Sequence, residues 1–260
     1  MAKITAKHFL NTNLKPYLIN KEKHYSVYIS LVAYRKNTKV KSVVFDEYYN
    51  ENTFNEIVNS SDEYDINLIE NEINTISLIT EISVDVLKEF DTAFITSYFK
   101  FSSMINIDSS IEYDKYLKDR SLNINDVERI IGKLGKYDKY FSIVESIEKE
   151  IDYYNTDLMS KYLGNPGTNK YTIEITFIEK LINQFEKITI FDFFNKTNQT
   201  LLLNFIKSNF KEDNHQDFIF EFNKAIFTNS LNRFSNYIQK SKNKYLIEKY
   251  KHIFDNSYKK

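Results

Sequence analysis

The side chains that could perform acid–base, nucleophilic or metal chemistry are few and scattered along the chain. There is no cysteine, which excludes thiol nucleophiles, thiolate zinc sites and disulfides. His215 is followed closely by Asp217, but without a nucleophile motif nearby a solvated helix start explains this pair better. The sequence therefore predicts a protein that is not an enzyme, with no catalytic, cofactor-binding or metal-binding residues. None of the four histidines lies four residues from another or beside the glutamate of a zinc motif; they are His8, His24, His215 and His252.

Two further segments carry groups that could bind phosphate or a hard cation. Gly132–Lys136 contains two Gly-Lys pairs, but it lacks the glycine spacing and the terminal Gly-Lys-Ser/Thr of a phosphate-binding loop. A turn between two helices explains it better. The carboxylates between Glu145 and Asp152 could hold Mg²⁺ only if they converged, whereas along one helix most of them point to water. Neither segment predicts a site.

The charge of the chain is distributed unevenly, although the net charge is only −1. Residues 1–45 hold nine Lys or Arg and one Glu, and residues 46–94 hold thirteen Asp or Glu and one Lys. The last thirty residues hold eight basic and two acidic side chains. Such asymmetry indicates a surface for a charged partner. The oppositely charged segments could equally pair with each other within the fold, so both interpretations stay open.

The composition places the chain among ordinary globular proteins, with 42% hydrophobic and 27% charged residues. No apolar run approaches the roughly 20 residues that span a bilayer, and the start has no stretch of signal-peptide length. We therefore expect no membrane partner and a cytoplasmic location, or a virion location if the protein is a phage component. Only 4 Gly and 2 Pro are present, which favours long helices over a many-stranded fold.

The basic N-terminal segment has the pattern of a β-hairpin. Residues Tyr25–Tyr34 alternate between apolar and more polar side chains, which is typical of a strand. A polar turn and a second β-branched run, Thr38–Phe45, follow, and Ile4–Leu10 could add a third strand. The hairpin carries four cations around one end, namely Arg35, Lys36, Lys39 and Lys41.

The rest of the chain has helical patterns. Thr53 and Glu56 have the spacing of a capping box, and isoleucines from Ile66 to Ile76 follow at three- and four-residue intervals. Further helices are predicted over 137–163, 171–185, 197–210, 216–228 and 231–254, the last with an interruption near Ser241. The predicted fold class is α+β and mostly α, with a small antiparallel hairpin or three-stranded sheet followed by a helical bundle. The predicted domains are 1–50, a basic β-hairpin module; 51–163, an acidic linker and helical domain; and 168–260, a C-terminal helical domain.

A basic hairpin of this kind is physically suited to duplex DNA. A two-stranded β-ribbon fits the major groove, and Lys and Arg on it can neutralise phosphates. Lysine on an exposed strand also protects sheet edges from aggregation, so the pattern alone leaves both explanations open. The sequence thus predicts Arg35, Lys36, Lys39 and Lys41 as nucleic-acid-binding residues, without deciding between these explanations.

Three stretches of the N-terminal segment resemble a known family. They are Leu14–Tyr17, Tyr25–Leu31 and Arg35–Lys39, and they resemble the arm-DNA-binding module of Bacteroidetes-type phage and transposon tyrosine recombinases. The resemblance covers about the first hundred residues. It implies a small three-stranded sheet that binds DNA, followed by an acidic helical linker and a helical domain. Ser26 stands where the family often has proline and Ser30 where it often has arginine, which weakens the DNA-contacting face.

The catalytic signature of that family has no counterpart here. It needs several arginines, a His-x-x-Arg motif and a nucleophilic tyrosine near the C-terminus. His215 is followed by Gln-Asp-Phe and His252 by Ile-Phe-Asp, and the chain has four arginines in all. The resemblance therefore implies a binding protein without the strand-cleaving enzyme.

The leading functional hypothesis is a non-catalytic DNA-binding protein of a phage or mobile element, with the hairpin in the major groove and the helices forming oligomer or partner contacts. The alternative is a phage virion or tail structural protein whose hairpin and helices mediate subunit assembly. A third, weaker possibility is an enzyme whose site assembles from dispersed residues.

Overall fold

A computed structural model describes residues 4–107, 188–209 and 215–256. The chain divides into two compact units: residues 1–105, 189–199 and 223–259 form the first, and residues 106–188, 200–222 and 260 form the second. In the second unit the amide of Ile107 donates to the carbonyl of Ile188 at 2.9 Å. The predicted domains 51–163 and 168–260 include residues outside the described ranges, so the domain boundaries stay predictions.

The first unit opens with an antiparallel sheet around one long strand. The strands are β1 Thr5–Leu10, β2 Tyr17–Ile19, β3 Glu22–Ala33, β4 Lys36–Lys41 and β5 Tyr48–Tyr49. Every other strand pairs with β3. The half of β3 that ends at Ala33 pairs with β1 and β4, and the half that begins at Glu22 pairs with β2 and β5.

Two tight turns join β2 to β3 and β3 to β4 without using glycine. Asn20 and Lys21 have φ of 51° and 72°, and Tyr34 and Arg35 have φ of 51° and 63°. Two-residue hairpin turns with positive φ at both positions match the twist of the flanking strands, although a side chain there costs about 1–2 kcal/mol per residue. At the second turn the Tyr34 ring stacks on Phe90, with centroids 6.2 Å apart. This contact offsets part of the backbone cost.

Seven described helices follow the sheet. Those next to it along the chain begin at side-chain caps, with Asn50, Asp62 and Asp91 accepting from the first backbone amides. Helix α2 packs against β1, and α3 packs against β4. The helices are α1 Glu51–Val58, α2 Glu63–Leu87, α3 Thr92–Ser102, α4 Ile190–Phe193, α5 Lys196–Asn209, α6 His215–Lys240 and α7 Lys244–Asn256.

The predicted fold class, α+β and mostly α, is confirmed, and so are the hairpin and the strand over Ile4–Leu10. The sheet has five strands rather than three. The interruption near Ser241 is present, but α6 runs without a break through Asn229 and Ser230. The helices predicted over 137–163 and 171–185 lie outside the described residues.

One buried carboxylate determines how the sheet sits on α2. Glu72 has no exposed surface, and its Oε2 accepts from His8 Nε2 at 2.7 Å and from the Ser42 hydroxyl at 2.5 Å. Its Oε1 accepts from the amides of Val43 at 2.5 Å and Val44 at 3.3 Å. A single side chain of α2 therefore fastens β1 and the segment after β4.

This contact also explains why β4 is shorter than predicted. The sequence predicts a strand over Thr38–Phe45, whereas β4 ends at Lys41. The amides of Val43 and Val44 bind the Glu72 carboxylate, so they are not available to a neighbouring strand. Phe45 then turns inward to pack against His8, with ring centroids 5.1 Å apart.

A second polar cluster fastens the last helix to the corner between α2 and α3. Oδ2 of Asp91 accepts from Tyr245 at 2.7 Å, Lys249 at 2.7 Å and Tyr250 at 2.9 Å. Lys249 also binds Glu89 at 2.8 Å. Burial by itself would raise the pKa of Asp91, but the donors outweigh it and hold this pKa well below its usual range. The pKa of Glu89 is also lowered, chiefly by its hydrogen bond with Lys249.

No helix in the described ranges is long and apolar enough to cross a membrane. In the same ranges no three His, Asp or Glu side chains are grouped as metal ligands would be.

The Glu72 contacts predict a large effect of an almost isosteric substitution. In Glu72→Gln an amide nitrogen replaces one acceptor oxygen, so buried donors lose their acceptor, and we expect a loss of about 2 kcal/mol or more in the free energy of unfolding. Urea denaturation followed by circular dichroism measures it. Glu81→Gln, the same change elsewhere on α2, serves as the control and should stay within about 0.5 kcal/mol. Equal effects of the two substitutions would contradict this role.

The Asp91 cluster predicts a specific dependence of stability on pH. Because the folded-state pKa of Asp91 lies below its unfolded value of about 3.9, its contribution is full at neutral pH and is lost as pH falls below about 5. The difference in unfolding free energy between wild type and Asp91→Asn should therefore shrink from pH 7 to pH 3. Asp46→Asn, in the exposed loop before β5, is the control and should change the free energy of unfolding at pH 7 by less than about 0.5 kcal/mol. If the difference in unfolding free energy between wild type and Asp91→Asn did not change with pH, the ionisation of Asp91 would not be linked to stability.

Candidate nucleic-acid interface

The sheet has an inner face that forms part of the core and an outer face that does not. Val27, Ile29, Leu31 and Ala33 of β3 have no exposed surface and define the inner face. Side chains alternate along a strand, and directly opposed residues of an antiparallel pair share a face. The outer face over β1, β3 and β4 therefore carries Thr5, Lys7, Phe9, Tyr28, Ser30, Val32, Asn37, Lys39 and Lys41.

Three exposed lysines lie on this outer face. Lys7 and Lys39 both pair with Ser30, from opposite sides of β3. Lys41 lies two residues further along β4, opposite Tyr28. Lys7 and Lys39 are separated by two interstrand spacings, about 10 Å. The Lys39 ammonium lies 5.2 Å from the centre of the Phe9 ring, which holds it over the sheet. No carboxylate is present among these nine residues of β1, β3 and β4.

The structure separates the four predicted cations. Lys39 and Lys41 lie on the outer face, as their spacing suggests. Arg35 lies at the exposed tip of the β3–β4 turn. Lys36 is on the inner side of β4, and its ammonium donates to the carbonyl of Phe90 at 3.0 Å. Lys36 is therefore held by a hydrogen bond to the backbone, whereas Lys39 contacts the Phe9 ring.

Sequence reasoning did not include Lys7 among the candidate residues. The possible strand over Ile4–Leu10 was the signal that could have found it, because Lys7 falls on the same face as Thr5 and Phe9. Its position beside Lys39 depends on the register between β1 and β3, which no local pattern determines.

The basic sheet and the acidic segment of residues 46–94 do not neutralise each other. Within the described residues the one ion pair between residues 4–45 and that segment is the buried contact of His8 with Glu72. The cations of β1, β4 and both turns form no ion pair with any described carboxylate. The carboxylates of Asp46, Glu51 and Glu63 are likewise exposed. Internal pairing among the described residues is thus limited to His8 and Glu72 for the N-terminal segment, whereas Lys249 of the basic C-terminal segment does pair with Glu89 and Asp91 of the acidic segment.

This arrangement has the chemistry of an anion-binding surface. Its ammonium groups are strong donors with full positive charge, and the serine, asparagine and threonine beside them add neutral hydrogen-bonding groups. Cations grouped on one face without ion-pair partners attract a polyanion over a distance of about one Debye length.

Comparison with known proteins adds little to this picture. No protein-family model matches the chain, and no solved structure matches it. A CTP synthase of Phytoplasma australiense is similar, with 27% identity over 124 residues. The match covers 44% of this chain, and the chain spans only 20% of that protein.

The different positions of Lys36 and Lys39 predict different effects on stability. Lys36→Gln replaces the charged donor to the Phe90 carbonyl with a neutral amide on a shorter side chain, so we expect it to lower the free energy of unfolding by about 1 kcal/mol. Lys39→Gln, the matched substitution on the exposed face, should change it by less than about 0.5 kcal/mol. Thermal and urea unfolding of both variants measure the difference. If Lys36→Gln were as stable as wild type, its contact with Phe90 would be energetically unimportant.

Proposed function

We propose that this chain is a non-catalytic DNA-binding protein of a phage or mobile element, and that it binds duplex DNA through the outer face of its N-terminal sheet. The observation that carries the proposal is the row formed by Lys7, Lys39 and Lys41, which form no ion pair with any described residue. Arg35 extends the positive surface at the turn. Lys36 contributes by holding the hairpin end against Phe90.

The dimensions of the sheet suit the major groove. Three antiparallel strands span about 10 Å across their axes, and the groove is about 12 Å wide and admits strands as well as helices. Lysines on the outer face then meet phosphates, which supply most of the affinity but carry no sequence information. Ser30 and Asn37 are among the neutral polar side chains on this face that can contact base edges.

The resemblance to the arm-DNA-binding module supports the same surface. The residues that carry it include Tyr25–Leu31 and Arg35–Lys39, which form most of β3 and the hairpin end. The charge distribution supports it as well, because the acidic segment leaves these cations unpaired. The activity of a CTP synthase is not transferred, since the similar stretch is a small part of that enzyme.

A second candidate is assembly with other subunits, as in a virion or tail component. It is favoured by the exposed apolar side chains of Leu14 and Leu18, at 45% and 70% exposure, near a short edge strand. The helices would then provide further partner contacts in either function.

The salt dependence of duplex binding tests the leading proposal. We expect the full chain to bind a short DNA duplex at about 50 mM salt and to lose affinity steeply by about 200 mM. Combined substitution of Lys7, Lys39 and Lys41 by Gln should weaken binding and reduce the slope of log affinity against log salt by up to about 3, roughly 0.9 per phosphate contact. Fluorescence anisotropy with labelled duplex measures both quantities.

The matched control removes three lysines elsewhere. Lys240, Lys242 and Lys244 are exposed around the connection from α6 to α7, and their combined substitution by Gln makes the same change in net charge. This variant should keep the slope of wild type. Equal effects of the two triple variants, or no binding at low salt, would reject the proposal. Large nuclease-resistant particles in light scattering would favour subunit assembly instead.

A further inference from the structure

The outer face continues beyond the lysines into a region rich in exposed aromatic and apolar side chains. Tyr17 pairs with His24, Ile19 with Glu22 and Tyr48 with Ser26. The partners on β3 are Glu22, His24 and Ser26, each an even number of residues from Tyr28 and Ser30. Their side chains and those of the residues paired with them therefore lie on the outer face too. We call Tyr17, Ile19, His24 and Tyr48 the aromatic half of this face, and Lys7, Lys39 and Lys41 its basic half.

The two tyrosines form an exposed pair rather than part of the core. Their ring centroids are 4.0 Å apart with an interplanar angle of 37°. Tyr17 is 56% and Tyr48 37% exposed, while Ser26 beneath them is buried. The small side chain of Ser26 lets the rings meet across β3. Both rings therefore keep exposed surface that a planar group can contact.

Exposed lysines lie near the pair, and carboxylates do as well, because Asp46 and Glu47 directly precede Tyr48. Lys15, Lys21 and Lys23 are exposed on and before the β2–β3 hairpin and form no ion pair with a described carboxylate. The single carboxylate of this hairpin, Glu22, accepts a hydrogen bond from Asn50 at 2.8 Å. Exposed aromatic rings beside unpaired cations are the combination with which proteins bind single-stranded nucleic acid, because bases stack on the rings and phosphates meet the cations.

We propose that the aromatic half binds unpaired nucleotides next to the duplex bound by the basic half, so that the preferred ligand is a DNA duplex with a single-stranded extension. This inference rests on the proposed function. From Ser30 to Ser26 the strand rises about 13 Å, which corresponds to about four nucleotide steps of 3.4 Å. A strand that leaves the duplex over the basic half therefore reaches the tyrosine pair within a few nucleotides.

Unpaired bases suit this region better than a continued duplex does. The bases of a duplex are stacked on each other and expose only their edges in the grooves, whereas an unpaired base offers its flat face to a ring. In this part of the outer face no described strand residue is a lysine and Glu22 is a carboxylate, so the aromatic half provides contacts to bases more than to phosphates.

The test compares two DNA ligands with the full chain. One is a short blunt-ended duplex, and the other is the same duplex with a single-stranded extension on one strand. In fluorescence anisotropy at about 50 mM salt, we expect the extended duplex to bind about tenfold more tightly, since one stacked base contributes about that factor. Equal affinities for the two ligands would overturn the inference while leaving the proposed function in place. Absence of binding to both would reject the proposed function itself.

Variants of the pair identify its role. The double variant Tyr17→Ala, Tyr48→Ala should lose the tenfold preference and keep the blunt-duplex affinity and its salt slope. Tyr17→Phe with Tyr48→Phe keeps both rings and should keep the preference. Tyr64→Ala, which removes an exposed tyrosine from the first turn of α2, is the matched control and should bind both ligands as wild type does.

Three results would count against the pair. The first is that the double alanine variant still prefers the extended duplex over the blunt one. The second is that Tyr64→Ala loses this preference to the same extent. The third is that a single-stranded RNA of the same sequence binds more tightly than the extended DNA. Circular dichroism of each variant, compared with wild type, verifies that the fold is intact. The comparison of the two ligands with wild type remains decisive if the double variant does not fold.

Discussion

The contact between Glu72 and its donors is the constraint on which the N-terminal sheet depends. A carboxylate with no exposed surface is tolerated only when its lone pairs are filled, and here a histidine, a hydroxyl and two backbone amides fill them. Because these donors come from β1 and from the segment after β4, the contact fixes both sides of β3 relative to α2. It also directs Phe45 into the cluster that contains Val27 and Phe54. The sheet is therefore held with the face that carries Val27, Ile29 and Leu31 toward the core.

The residues that form the outer face are determined by which face of β3 is buried. Once Val27, Ile29 and Leu31 are committed to the core, the two-residue period of the strand places Tyr28, Ser30 and Val32 in contact with solvent. The register of β1 and β4 then brings Lys7 and Lys39 to either side of Ser30. The same period, continued through β2 and β5, places Tyr17 and Tyr48 together above Ser26. A positively charged half and an aromatic half thus share one face because one strand is long enough to form both.

The carboxylates of the acidic segment stabilise helices and contacts between elements rather than neutralise the lysines of the sheet. Asp62 and Asp91 cap helices, and Glu72 binds β1 and the segment after β4 to α2. Asp91 and Glu89 also bind Lys249 of α7. Burial by itself would lower the pKa of Lys249, but the hydrogen bonds from Lys249 to these carboxylates outweigh it and raise this pKa. Within the described residues these roles leave the hairpin cations without acidic partners. The uneven charge along the sequence therefore survives as an uneven charge on the surface of the first unit.

The sequence by itself determined the elements whose patterns are local. The alternation in Tyr25–Tyr34 gave the two faces of β3 correctly, and the position of Lys39 and Lys41 on one face followed from the same period. The mostly helical fold class and the end of α6 near Ser241 were also predictable, because they depend on composition and short-range patterns. Tertiary structure alone decided the rest. The early end of β4 depends on a carboxylate thirty residues away, the role of Lys36 depends on the Phe90 carbonyl, and the neighbours of Lys7, Tyr17 and Tyr48 depend on strand register. These contacts join distant parts of the chain, and their energies arise only after the chain has folded, so no local pattern carries them.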